Sequence, residues 1–435
     1  MFRVPKKLAA GLMVAALLFS ILLRMSSSSS SGPLSARVVN VRPGWTNVSS
    51  SPSPPPMAGA MMAYDSKADR FVLFGGWDGK MGLNSTWLYD PGNRTWKLLH
   101  PNVSPPGRGD EIFVYDERAD TFILFGGWHE EANKTYVRLA DTWSFSLRSN
   151  TWTELHPAVS PSPRSDAQVA YNPIVDAVLL VGGFSGTAYL GDVWSYTPSN
   201  NTWSPRPAAV EPSRRADGRM VYVSTVDRFV FFGGNDYSGA NRSFHHLADT
   251  WTYDWSSNVW TLLVRAVGPS SRDYPIFAFD PMTKLVLLTA GFGNGTILND
   301  LWALNITSET WNDLTPTVSP PPRFAAAGGF DIATHVLVLF SGLANTGLLA
   351  DTWHYAYGPS SGAPGLLSPI VAVGVASVGV AGIAVAIVFG LSRRRRSRGL
   401  PWTAYCPVYV SLAIVRCQAR PAGRAPYLRL MNATL

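Results

Sequence analysis

The chain is 435 residues long, 46% hydrophobic, with a formal charge of +7. That excess is confined to the ends: residues 1–37 carry five Lys or Arg and residues 392–435 carry nine Arg, neither with an acid, which leaves 22 basic against 29 acidic groups between them. A body of about −7 excludes nucleic acid as its partner, and the basic pI belongs to the termini.

Residues 1–31 read as a signal peptide or signal anchor, because Arg3, Lys6 and Lys7 precede the apolar run "LAAGLMVAALLFSILL" at 8–23. A linker over 32–41 follows. Six apolar runs ending in a small pair then recur: "FVLFGG" (71–76), "FILFGG" (122–127), "VLLVGG" (178–183), "FVFFGG" (229–234), "VLLTAG" (286–291) and "VLVLFSG" (336–342). Their period of 51–57 residues is longer than that of helical solenoids.

Three distances inside the repeat are constant. A starting residue lies 19 before the last Gly of each run: Met57, Arg108, Arg164, Arg215, Arg272 and Arg323. Two tryptophans nine apart follow, as Trp87/Trp96, Trp143/Trp152, Trp194/Trp203, Trp251/Trp260 and Trp302/Trp311, the first usually in a D-x-W phrase; the second is 12 before the next starting residue. The spacing predicts four short strands per repeat, the second being the apolar run, the third and fourth a hairpin on which the two indoles take facing or nearly facing positions. Four-stranded sheets repeated six times describe a β-propeller. Trp353 has no partner nine residues on, but Trp45 lies 12 before Met57, so residues 42–48 are expected to supply the fourth strand of blade six and close the ring.

The apolar strand ending in a glycine pair, the D-x-W phrase and the tryptophan nine residues on resemble the kelch-repeat β-propeller family, the fold of the galactose-oxidase central domain. The resemblance covers 42–357 and implies an all-β, six-bladed propeller. It departs in blade five, with Ala290 before Gly291, and in blade six, with Ser341 before Gly342. The copper oxidases of that family need a cysteine crosslinked to tyrosine. Cys406 and Cys417 are the only cysteines and lie outside the propeller, which removes that activity.

A linker over 358–368 leads to residues 369–391, 23 uncharged residues that as a helix span about 34 Å, enough to cross a membrane. The run Arg393–Arg396 after it places the basic tail, 392–435, in the cytoplasm and the propeller outside.

Candidate sites follow from the variable connection. From the last Gly of a run to the first Trp the counts are 11, 16, 11, 17, 11 and 11, so the long loops 128–141 and 235–249 emerge on one face, beside the starting residues. Arg108, Arg164, Arg215, Arg272 and Arg323, with Asp110, Asp166 and Asp217 two residues beyond the first three, are the candidate ligand-binding ring, suited to a carboxylate of a peptide or an acidic sugar. The "RGD" at 108–110 follows from the repeat, since the next blades read "RSD" and "RAD". His129, Glu130, Glu131, His245 and His246 are metal-ligand types, but their loops belong to blades two and four, and no metal or cofactor is assigned. N-x-S/T acceptors occur at Asn47, Asn84, Asn93, Asn102, Asn133, Asn200, Asn241, Asn294 and Asn305.

No Ser/His/Asp order, P-loop or HExxH is present. The expected function is a cell-surface, single-pass membrane protein whose propeller binds a protein or glycan. An extracellular carbohydrate-active enzyme (epimerase, lyase or hydrolase) and a structural surface-layer component are the alternatives.

Overall fold

The computed structural model describes residues 44–131, 134–238, 243–263 and 267–357. The predicted signal segment, the membrane helix, the basic tail and both cysteines lie outside the described residues. Among the described residues no helix is long and apolar enough to cross a membrane.

Six antiparallel four-stranded sheets form the blades of a propeller. Blade one contains Ala58–Asp65, Arg70–Trp77, Thr86–Asp90 and Thr95–Leu99, in that order from axis to rim. Blades two to five repeat it, and the innermost strands of neighbouring blades meet around the axis. In blade six the outer strand is Gly44–Asn47, paired with Thr352–Ala356 so that Trp45 lies opposite Tyr355. The only described helical element is a single 3-10 turn, Pro198–Asn200.

The second strands are continuous apolar runs because each is sandwiched between two neighbouring blades. Side chains alternate across a strand: Phe71 and Leu73 pack with Val338 and Phe340 of blade six, while Val72 and Phe74 pack with Phe122 and Leu124 of blade two. Four further seams are built the same way, so both faces of every blade are core.

The small pair ending each run serves the seam. The first member adopts a left-handed conformation, with φ of +62 to +71° in the four glycine blades. At Gly126 a Cβ would stand 2.5 Å from the Arg164 carbonyl of the next blade. The second Gly donates its N–H to that carbonyl, as Gly127 does at 2.9 Å, and the same bond recurs in every blade, ending with Gly342 to Met57. Ala290 and Ser341 hold the left-handed position too, with φ of 61° and 65°. A non-glycine residue costs on the order of 1 kcal/mol there.

The register makes the two indoles diagonal neighbours, not directly facing ones. Trp152 lies opposite Phe145, two residues beyond Trp143, and Trp143 lies opposite Glu154. The second tryptophan therefore packs on an aromatic ring two positions after the first: Tyr89–Trp96, Phe145–Trp152, Tyr196–Trp203 and Tyr253–Trp260 have centroids 4.6–4.9 Å apart. Such a pair contributes about 0.5–1.5 kcal/mol beyond its buried area.

Candidate functional site

The starting arginines occupy the joint between first and third strands. Arg108, Arg164, Arg215, Arg272 and Arg323 are at most 2% exposed. Each forms a two-pronged pair with the aspartate of its own D-x-W phrase, namely Asp141, Asp192, Asp249, Asp300 and Asp351, at 2.5–2.9 Å. Each also donates to the carbonyl of the first residue of the small pair, such as Gly126 or Ala290. The same aspartate accepts the first tryptophan's indole N–H at 2.6–2.8 Å. Burial pushes these carboxyls up, yet the guanidinium's hydrogen bonds and charge outweigh it and hold Asp141, Asp192 and Asp351 below the usual range.

The arginine ring is therefore an internal joint and offers no surface to a carboxylate ligand. Its partners are also not the aspartates two residues on. Blade one carried the signal for this pairing: it has Met57 for Arg and Ser85 for Asp, both members exchanged together. There the indole nitrogen of Trp87 is buried without a partner.

The residues two beyond each start form a different ring. Gly59, Asp110, Asp166, Asp217, Tyr274 and Ala325 all have φ between 50° and 66°. Their backbones are linked around the axis: Gly59 donates to Ala325, Asp110 to Gly59, Asp166 to Asp110, Asp217 to Asp166 and Tyr274 to Asp217, at 2.8–3.0 Å. Gly59 has no side chain, and the Asp110 carboxyl lies over it, 2.6 Å from where a Cβ would be. Three carboxyls are thus gathered at one end of the channel.

Their partners come from the long loops and from the starting segments. The indole of Trp128 donates to Asp110 at 2.7 Å and the hydroxyl of Ser165 to Asp166 at 2.6 Å. Tyr274 donates its hydroxyl to Asp166 at 3.2 Å. The amide nitrogen of Asn235 donates to both Asp217 and Asp273, at 2.5 and 2.8 Å, and His246 Nδ1 stands 3.2 Å from Asp273. Burial, then the charge of Asp166, pushes Asp110 up to about 8 and Asp217 well above the carboxylate range. Burial also raises Asp273, against the charge of His246. Burial and the crowding of like charges both favour the protonated form of these carboxyls.

The long loops fold into hairpins beside this ring: Trp128–Glu130 with Tyr136–Arg138, and Asn235–Ser238 with Ser243–His246. Backbone bonds from Trp128 to Gly109 and from Asn235 to Ala216 fix them to the starting segments. They expose Tyr136 (56%), Tyr237 (44%) and Phe244 (64%). His129 bonds the Gly107 carbonyl, Glu130 pairs with Lys134, and His245 pairs with Asp236. Among the described residues no three His, Cys, Asp or Glu are placed to share a metal ion.

The remaining channel is a cavity of about 390 Å³ lined largely by apolar residues of the inner strands, including Met61, Phe113, Met220 and Ile276. Asn47, Asn84, Asn93, Asn102, Asn200 and Asn294 are exposed and Asn305 is half-buried, whereas Asn133 and Asn241 lie outside the described residues.

A family model described as the KLHDC2/KLHL20/DRC7 Kelch-repeats domain matches residues 39–234. The chain is similar to the flagellar outer-arm dynein alpha chain of Chlamydomonas reinhardtii, 25% identical over 68% of this chain and 7% of that one. It is also similar to Mei4-dependent protein 6 of Schizosaccharomyces pombe, 23% identical over 66% of this chain and 45% of that one. The leucine-zipper-like transcriptional regulator 1 homolog of Drosophila melanogaster is 23% identical over 57% of this chain and 25% of that protein. The chain thus spans less than half the length of these relatives. The match to that family model, with the glycine-pair seams, the paired aromatic hairpins and the six closed sheets described above, supports a kelch-repeat β-propeller, a scaffold that generally binds proteins.

Proposed function

We propose that this chain is a membrane-anchored surface protein whose propeller binds another protein through the face bearing the hairpins of blades two and four. The observation that carries the binding face is the set of exposed rings, Tyr136, Tyr237 and Phe244, on two rigidly seated hairpins around the carboxyl ring. Exposed aromatics beside a concave polar site are what protein interfaces use as anchors. The anchoring rests on residues 8–23, 369–391 and the arginines at 393–396. Exposed N-x-S/T sites at Asn84, Asn93 and Asn200 fit an exported body.

Two measurements test this on cells making the full chain. Amide-linked glycans removable by glycosidase from intact cells are expected; a chain wholly protected from added protease until permeabilisation would refute the surface placement. A photo-crosslinking residue at Phe244 is expected to trap a partner protein, and the same group at Val259, exposed on the outer strand of blade four, is not. Equal trapping at the two positions would refute the binding face.

A further inference from the structure

The carboxyl ring is joined to acceptors that the fold leaves without donors. Asn235, 5% exposed, spends its amide nitrogen on Asp217 and Asp273, and its own Oδ1 accepts no hydrogen bond. Oδ1 of Asp217 and Oδ1 of Asp273 are buried without a donor as well. A buried acceptor lacking its bond costs about 1–3 kcal/mol, so three in one cluster mark a place where donors are to be supplied from outside. Of the nearby basic groups, His246 faces Asp273 Oδ2 at 3.2 Å and two arginines are engaged elsewhere. Arg138 donates to Ser165 and lies over the Phe184 ring, 5.2 Å from its centroid, and Arg219 donates to the Gly218 carbonyl. An alkylammonium carries one positive charge and three N–H donors and no acceptor, which matches three acceptors beside surplus carboxyls. Asp110, Asp166 and Tyr274 of the same ring are partly exposed.

We infer that the axial ring and the Asn235 cluster form a receptor for one lysine ammonium, presented by the partner protein that the two hairpins hold. This rests on the binding face proposed above and names the chemistry recognised there. It also reverses the sign expected of the ring from sequence, where arginines were to grip an anion.

Titration calorimetry of the full chain at pH 8 tests it with three probes: acetyl-Gly-Lys-Gly-amide, the same peptide with norleucine for lysine, and cadaverine. The lysine peptide is expected to bind at least 10-fold more tightly than the norleucine peptide and than cadaverine, and to release protons, read as a heat that changes with the buffer's ionisation enthalpy. Asp217→Asn and Asp273→Asn, each checked for an unchanged unfolding transition, are expected to weaken lysine binding at least 10-fold. Equal affinity for lysine and norleucine peptides, or lysine binding unchanged in both variants, overturns the proposal. Cadaverine binding as tightly as the peptide overturns the protein source and leaves a free-amine site. Failure of these probes while Phe244 still traps a partner would remove the ammonium receptor and leave the binding face standing.

Discussion

Blades one and five contain the same joint made from different materials. In blade five, Arg272 and Asp300 form a buried two-pronged pair that also takes the indole of Trp302. In blade one, Met57 fills the guanidinium's place, Ser85 the carboxylate's, and Trp87 goes unpartnered. The ion pair is one of two ways to fill the joint, and its members are meaningful only together. A buried pair is often replaceable by packing, whereas a half pair is not.

The largest effect should come from halving the joint. Arg272→Met is expected to cost about 3 kcal/mol, because Asp300 is left without its counter-ion, and adding Asp300→Ser, the blade-one solution, should restore most of it. Urea unfolding of the single and double variants measures this; strictly additive losses would show that the residues do not act as a unit. Next comes the seam between blades six and one, where His354 meets Tyr89 at 2.7 Å, while the other blades place Leu88, Ser144, Ser195, Thr252 and Ala303 at that position. Burial, then Arg94, lowers His354 from 6.5 to about 4. The unfolded chain thus binds a proton there before the folded one does, and stability falls as pH drops from 6.5 to 4, by about 2 kcal/mol at pH 5. His354→Gln should flatten that limb of the pH–stability curve.

Smaller effects compare seams with and without one hydrogen bond. The second tryptophan donates its indole N–H to the threonine before the first tryptophan of the preceding blade: Trp96 to Thr352, Trp152 to Thr86, Trp203 to Thr142 and Trp311 to Thr250, at 3.0–3.3 Å. Val193 and Leu301 hold that place for Trp260 and Trp45, whose indole nitrogens are buried without partners. Thr142→Val is expected to cost about 1–2 kcal/mol. Val193→Thr, the reverse change, should gain about 1 kcal/mol by supplying Trp260 with an acceptor. A loss on Val193→Thr equal to that on Thr142→Val would rule out the hydrogen bond as the cause.

Blade number was legible because each second strand is buried on both faces, and continuous runs such as "FVFFGG" have no other place in an all-β fold. The outer strand of blade six was visible through Trp45, which must keep the same 12-residue distance to the next start as every other second tryptophan. What spacing alone did not show was which acid each arginine meets. Strand alternation favoured Asp110 for Arg108, but residue 110 is left-handed, so the chain turns there and sends the carboxyl to the axis while Arg108 reaches Asp141, 33 positions away. The joint exchange of Met57 and Ser85 held that information. The indole pairing differs for a similar reason: nine residues around a four-residue turn offset the two tryptophans by two hairpin pairs.

The axial ring of backbone hydrogen bonds has a sense of rotation, every donor pointing to the blade before it. Six positions are thereby brought to one end of the axis. Around the axis they spell Gly59, Asp110, Asp166, Asp217, Tyr274, Ala325. None of these six takes part in the Arg–Asp joints or the aromatic pairs of the hairpins, so changes among the residues that tolerate a left-handed backbone alter the mouth of the channel while leaving those joints in place.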